Sequence, residues 1–292
     1  MRALFLALAI AGAPAMAAAQ GLDPGQVTAL PSSPPTLRAA YGPGKLQVGE
    51  LRVPPGKGPF PVAVIVHGGC WTSGFASLAM TSPMATALTA KGFATWNIEY
   101  RQLGDTGGGW PGTFQDWGAA LDHLRVLART QPLDLGRVVV LGHSAGGLAA
   151  PWLAARPGLP KGSPIRGADP LRVATAVDID GPADLRLSVG ALREACEAPV
   201  IAQLMGGDAA AQPGRYNEGN PGERLPLHTR QLLVSAALLS PEAASAYAAA
   251  ARASGDRVTV LVLPKTGHFD LVAPGQPAWG KVEAFIVKNA FS

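Results

Sequence analysis

Cysteine is almost absent from this 292-residue chain, which has two, Cys70 and Cys196. A single pair excludes a disulfide-built miniature scaffold and any four-cysteine metal centre. Neither a C-x-x-C nor an H-E-x-x-H occurs, and no Walker lysine follows a glycine loop. The sequence therefore gives no support to metal or nucleotide-phosphate chemistry, and no cofactor is expected. Charge is sparse too, at 15% of residues, and 24 Lys and Arg against 20 Asp and Glu leave a formal net charge of +4. The basic residues are scattered rather than clustered, so nucleic acid is not an expected partner. What is abundant is apolar material, 48% of the chain, which is ample for a large core.

Apolar runs long enough to cross a bilayer, about 20 residues, are also missing. The nearest is residues 1–19, MRALFLALAIAGAPAMAAA, where Arg2 precedes a short apolar run and small residues offer A-x-A sites. That pattern predicts a secretory signal peptide and an exported, periplasmic or secreted protein without a membrane span. Loss of Arg2 with that peptide takes the charge from +4 to +3. In an oxidising compartment Cys70 and Cys196 either form a bridge or remain two buried thiols; spacing alone does not decide.

Residues 20–44, rich in Pro, Gly and Ser, read as an extended N-terminal arm. From 45 to 292 strand-like and helix-like stretches alternate in one domain. Strands are expected at 45–52, 61–66, 93–100, 137–141, 173–179, 231–235 and 257–263. The clearest helices are expected at 113–129, 148–155, 241–254 and 277–289. The central strands are continuous apolar runs such as VAVIV and VVVL, which suits a sheet covered on both faces. The fold class is therefore α/β, with a doubly wound, mostly parallel sheet. Residues 181–230, rich in Gly, Pro and Ala, read as a lid-like insertion over the strand ends, where such sheets bind ligands.

The strongest motif is VVVLGHSAGGLAA, residues 138–150. It holds G-x-S-x-G between an apolar strand and a small-residue helix, the context in which a sharp turn raises a nucleophilic serine, Ser144, above the sheet. A serine hydroxyl needs a base. In the chain order serine, acid, histidine, His67, His123 and His143 come too early, and His228 precedes a strand. His268 follows a strand in the short loop KTGHFD and is the expected general base. An earlier strand ends in HGGCW, residues 67–71, where backbone with little side chain leaves room for a carbonyl oxygen. Gly68, Gly69 and Cys70, with Ala145 after the nucleophile, are the expected oxyanion hole. His67 is expected to brace that loop. Trp71 and Trp110 are candidates for the substrate-pocket wall, and Tyr100 and Arg101 for a structural polar network beneath the loop. The literal G-x-G-x-x-G at 107–112 contains Pro111 and lies past a strand end, so it reads as loop.

Taken together, HGG-x-W, NIEYR (97–101), GHSAGG (142–147) and GHF (267–269) resemble the α/β-hydrolase superfamily, in particular its branch of esterases and kynurenine-formamidase-like hydrolases. The resemblance spans about residues 45–290. It implies a serine hydrolase acting on a small-molecule carboxylic ester or small amide without a cofactor. The departure is the acid, which the family commonly carries after the strand here at 231–235. This chain has Ala236, Ala237, Leu238 and Leu239 there. Two carboxylates could substitute: Asp180 at the end of the preceding strand is the favoured acid, and Glu242 at the start of the next helix is the alternative. Asp178 can alternate in facing with Asp180, and Asp184 can cap the following segment. The sequence also leaves open a non-catalytic, ligand-binding relative in which no carboxylate meets His268.

Overall fold

The computed structural model of the chain describes residues 21–291. The predicted signal peptide at 1–19 lies outside them. Eight strands form one sheet: β1 (Leu37–Ala40), β2 (Val48–Arg52), β3 (Phe60–Val66), β4 (Ala94–Ile98), β5 (Leu133–His143), β6 (Thr175–Ile179), β7 (Arg230–Ser235) and β8 (Val258–Val262). Their spatial order is β1-β2-β4-β3-β5-β6-β7-β8. The β1–β2 and β2–β4 pairs are antiparallel, and every pair from β4 to β8 is parallel.

Side-chain alternation explains why the central strands are apolar throughout. On β3, Val62, Val64 and Val66 enter the core on one face of the sheet, while Ala63 and Ile65 enter the core on the other. On β5, Val138 and Val140 join the first core and Val139 and Leu141 the second. Each fully buried branched side chain contributes about 1.5–3 kcal/mol relative to exposure, so both faces must be covered. Helices cover them: α1 (Pro24–Thr28), α2 (Leu78–Ala90), α3 (Gly112–Asp122), α4 (Leu124–Leu127), α5 (Ala149–Ala155), α6 (Val189–Ala195), α7 (Val200–Met205), α8 (Pro213–Gly219), α9 (Pro241–Ala253) and α10 (Pro277–Asn289).

Two features depart from the sequence reading. The 20–44 segment is more than an arm, since it contains α1 and the edge strand β1, whose Leu37–Ala40 pair with Val48–Leu51. Only four residues long and preceded by PSSPPT, β1 carries a weak strand signal, as protected edge strands do. The expected helix at 113–129 is divided into α3 and α4 at His123. The 181–230 stretch holds three short helices, α6 to α8, ahead of β7.

Candidate active site

The loops that matter all leave the same edge of the parallel sheet. The HGG loop follows β3, Ser144 follows β5, Asp180 follows β6 and His268 follows β8. Ser144 has φ +55°, a left-handed conformation that costs a non-glycine residue energy and that the tight turn imposes. Its neighbours are small because nothing larger fits. A Cβ on Gly68 would lie 2.8 Å from the Ser144 Cβ, and one on Gly142 would run into the Gly146 carbonyl.

Asp180 is the carboxylate that meets the base. Its Oδ2 lies 2.7 Å from His268 Nδ1, and the side chain is fully buried. The loop without an acid has a different use: the backbone N–H groups of Ala236, Ala237, Leu238 and Leu239 all donate to this carboxylate at 2.9–3.0 Å. Burial pushes the Asp180 carboxyl up, but the His268 hydrogen bond and charge, with the Leu238 and Leu239 N–H groups, outweigh it and hold the group below the ordinary value. Asp180 is therefore ionised, and it fixes the proton of His268 on Nδ1, leaving Nε2 free to act as a base. Glu242 is corrected. It sits in the first turn of α9, behind the Ser240 cap, with no bond to His268 among the described residues. Asp184 accepts from the Arg186 N–H and from Asn220 Nδ2, so it organises its own loop. Asp178 makes no hydrogen bond to His268 among the described residues. It is buried, and a Cβ on Gly181 would sit 2.6 Å from its Oδ1.

The oxyanion loop runs through three consecutive left-handed residues, Gly69 (φ +104°), Cys70 (φ +54°) and Trp71 (φ +52°). The N–H groups of Gly69 and Cys70 donate to no acceptor among the described residues. The Ala145 N–H lies in the first turn of the short helix at Ser144–Leu148, where helical donors have no internal partner. Beneath the loop, His67 Nδ1 is 2.8 Å from the Gly68 carbonyl and Nε2 is 2.8 Å from Glu99. Burial raises the Glu99 carboxyl, but His67 and the N–H groups of Leu78 and Tyr100 prevail and hold it below the ordinary value. Tyr100 stacks on His67 at 4.4 Å and donates its hydroxyl to the His67 carbonyl, and Arg101 is paired with Asp116 at 2.6 Å. His67, Tyr100 and Arg101 thus have the bracing roles expected of them.

A cavity of about 420 Å³ contains Gly69, Cys70, Ser144 and His268 in its lining. Its apolar wall is Phe75, Leu192, Leu238 and Phe269, together with a disulfide. Cys70 and Cys196 are bridged, with their Cα atoms 5.9 Å apart across 126 residues of sequence, which ties the end of α6 to the oxyanion loop. Trp71 and Trp110 do not line it and are corrected. The left-handed turn carries the Trp71 indole back into the core, where it is fully buried. Trp110 packs edge-on against Phe114 at 5.3 Å, with the Arg215 guanidinium 5.9 Å from its ring.

His143 is the residue that spacing did not reveal. Its Nε2 is 3.0 Å from the His268 carbonyl, and its ring lies 4.4 Å from the His268 ring. A carbonyl only accepts, so Nε2 carries the proton. Burial, followed by the charge on His268, lowers the His143 pKa to about 3, and the ring stays neutral. His143, the residue before Ser144, therefore grips the backbone of His268.

The sheet order, the serine turn and the Asp180–His268 pair define the α/β-hydrolase fold. Residues 51–224, more than half the chain, match the BD-FAE family model, and the chain belongs to the BD-FAE family. Among solved structures it is similar to a truncated carbohydrate esterase from gut microbiota (20% identity over 87% of this chain and 95% of that one, TM-score 0.72). It is also similar to esterase B from Lactobacillus Rhamnosis (HN001), at 18% identity over 91% of this chain and 89% of that one, with a TM-score of 0.73. An acetyl ester-xyloside bifunctional hydrolase from Caldicellulosiruptor lactoaceticus is 17% identical over 88% of this chain and 98% of that one, with a TM-score of 0.66. The search of curated proteins found no match.

Proposed function

We propose that the chain is a serine esterase that cleaves small carboxylic esters through an acyl-enzyme on Ser144. The observation that carries this reading is the 2.7 Å contact of His268 with a buried, ionised Asp180, on a histidine that shares its cavity with Ser144 and the oxyanion loop. His268 Nε2 takes the Ser144 proton as Oγ attacks the ester carbonyl. The oxyanion is received by the N–H groups of Gly69, Cys70 and Ala145. Collapse of the intermediate breaks the bond to the alkoxy oxygen, which takes the proton from His268 and leaves as the alcohol. Water, deprotonated by His268, then hydrolyses the acyl-enzyme to the acid and restores Ser144. The three structural neighbours above are described as an esterase, a carbohydrate esterase and an acetyl ester hydrolase, which supports esters over formamides as the substrate. Export is part of the proposal, supported by the leader-like 1–19 segment and by a disulfide of the kind that persists in oxidising compartments.

The test is hydrolysis of p-nitrophenyl acetate and butyrate by the wild-type protein, Ser144→Ala, Asp180→Asn and Glu242→Gln. Ser144→Ala should abolish turnover, Asp180→Asn should reduce kcat by about 10³–10⁴-fold, and Glu242→Gln should stay within about two-fold. A wild-type rate equal to that of Ser144→Ala, with turnover of N-formyl anilines absent as well, would leave a binding protein in place of an enzyme.

A further inference from the structure

The esterase reading leaves open which esters fit, and the charge on the cavity wall bears on that. Apart from His268, Glu194 is the only ionisable side chain among the described residues that line the cavity. It is exposed, and its carboxylate has no ion pair and no hydrogen bond among the described residues. The neighbouring Arg193 lines a different cavity, together with Arg186. Successive residues on a helix point about 100° apart, so α6 presents its negative group to the catalytic cavity and its positive group elsewhere. Glu194 is also held near the chemistry, because Cys196, two residues on, is bonded to Cys70 of the oxyanion loop. The other carboxylates around the site are engaged in hydrogen bonds, apart from the exposed Glu197 next to Cys196, which does not line the cavity. Asp180 is fully buried against His268 and four N–H groups, Glu99 is buried against His67, and Asp270 accepts from the Leu22 N–H. The remaining walls are uncharged aromatic, aliphatic and disulfide surface.

We infer that Glu194 selects substrates by charge, so that the enzyme disfavours esters bearing a carboxylate and favours those with a cationic group on the part of the molecule that faces α6. This inference rests on the esterase reading. It goes further by naming the electrostatic class of substrate.

Two acetate esters of nearly the same shape isolate the effect, acetylcholine and 3,3-dimethylbutyl acetate, which differ by one positive charge. Their kcat/KM values, or their competitive Ki values against p-nitrophenyl acetate where turnover is too slow, are compared as a ratio, which cancels any change common to both. At low salt the ratio in the wild type should favour the cation by roughly 3- to 10-fold, and it should shrink toward one at 0.5 M NaCl, as screening of a pair several ångströms apart requires. Glu194→Gln should bring the low-salt ratio to about one, and Glu194→Lys should invert it. A wild-type ratio of one or less, or a ratio that is the same in Glu194→Gln, overturns the proposal. Equal p-nitrophenyl acetate hydrolysis by wild type and Ser144→Ala is a separate result that strikes the esterase reading itself.

Discussion

A histidine next to the serine is easily read as filler in a G-x-S-x-G motif, yet His143 donates to the backbone of His268 and packs its ring, tilted, 4.4 Å from the His268 ring. Placement errors of about 1 Å can cost 10²-fold in rate, so this contact should show in kcat. His143→Phe keeps the ring and loses the donor; it is expected to lower kcat about 10- to 100-fold with little change in KM. His143→Gln retains an N–H in that region and should recover most of the loss. Steady-state kinetics with melting curves for both variants check this, and equal loss in both would mean that His143 acts through packing alone. Ser144 and His268 were legible in the sequence because each is tied to a local pattern, a strand followed by a tight turn or a short loop. Asp180 was favoured over Glu242 in the sequence, but local pattern left both open, because a carboxylate's partner is set by loop conformation. Here φ +52° at Asp180 and four inward N–H groups from 236–239 decide it.

Among the elements, α6 is the one whose position depends on a single covalent tie. It buries only Leu192 of its seven residues, and its end is fixed by the Cys70–Cys196 bridge. Cys196→Ala should lower stability by about 2–4 kcal/mol and raise KM, since α6 forms one cavity wall. Denaturant unfolding with kinetics on a butyrate ester measures both. Unchanged KM would mean that α6 holds its place through Leu192 alone. Strands were easier to find than helices for a physical reason. A strand buried on both faces is a continuous apolar run, as in β3 and β5. Helix α2 is buried on most sides and contains Pro83, so it lacks the amphipathic period by which a helix is recognised. The edge strand β1 and helix α1 are too short for a periodic signal.

For the whole molecule, the buried carboxyl of Asp178 links fold to pH. Burial and the charge of Asp180 push it well above the ordinary carboxylate range, so the folded protein holds it protonated. The unfolded chain ionises it from about pH 4. Its contribution is therefore most favourable below about pH 4 and declines as pH rises toward the folded value. Asp178→Asn removes this dependence, and the stability of the variant relative to wild type should increase as pH rises from 4 to 7. Thermal melts at both ends of that range give the slope, and a flat difference would show that Asp178 ionises normally. The sequence by itself determined the α/β class and pointed to one end of the sheet, to Ser144, to His268 and to the HGG loop, all through patterns within a dozen residues. The tertiary structure alone decided which acid reaches His268 across 88 residues, whether two thiols separated by 126 residues meet, and that Trp71 turns inward rather than toward substrate. Those outcomes depend on how the sheet brings distant loops to one edge, and no local spacing encodes that closure.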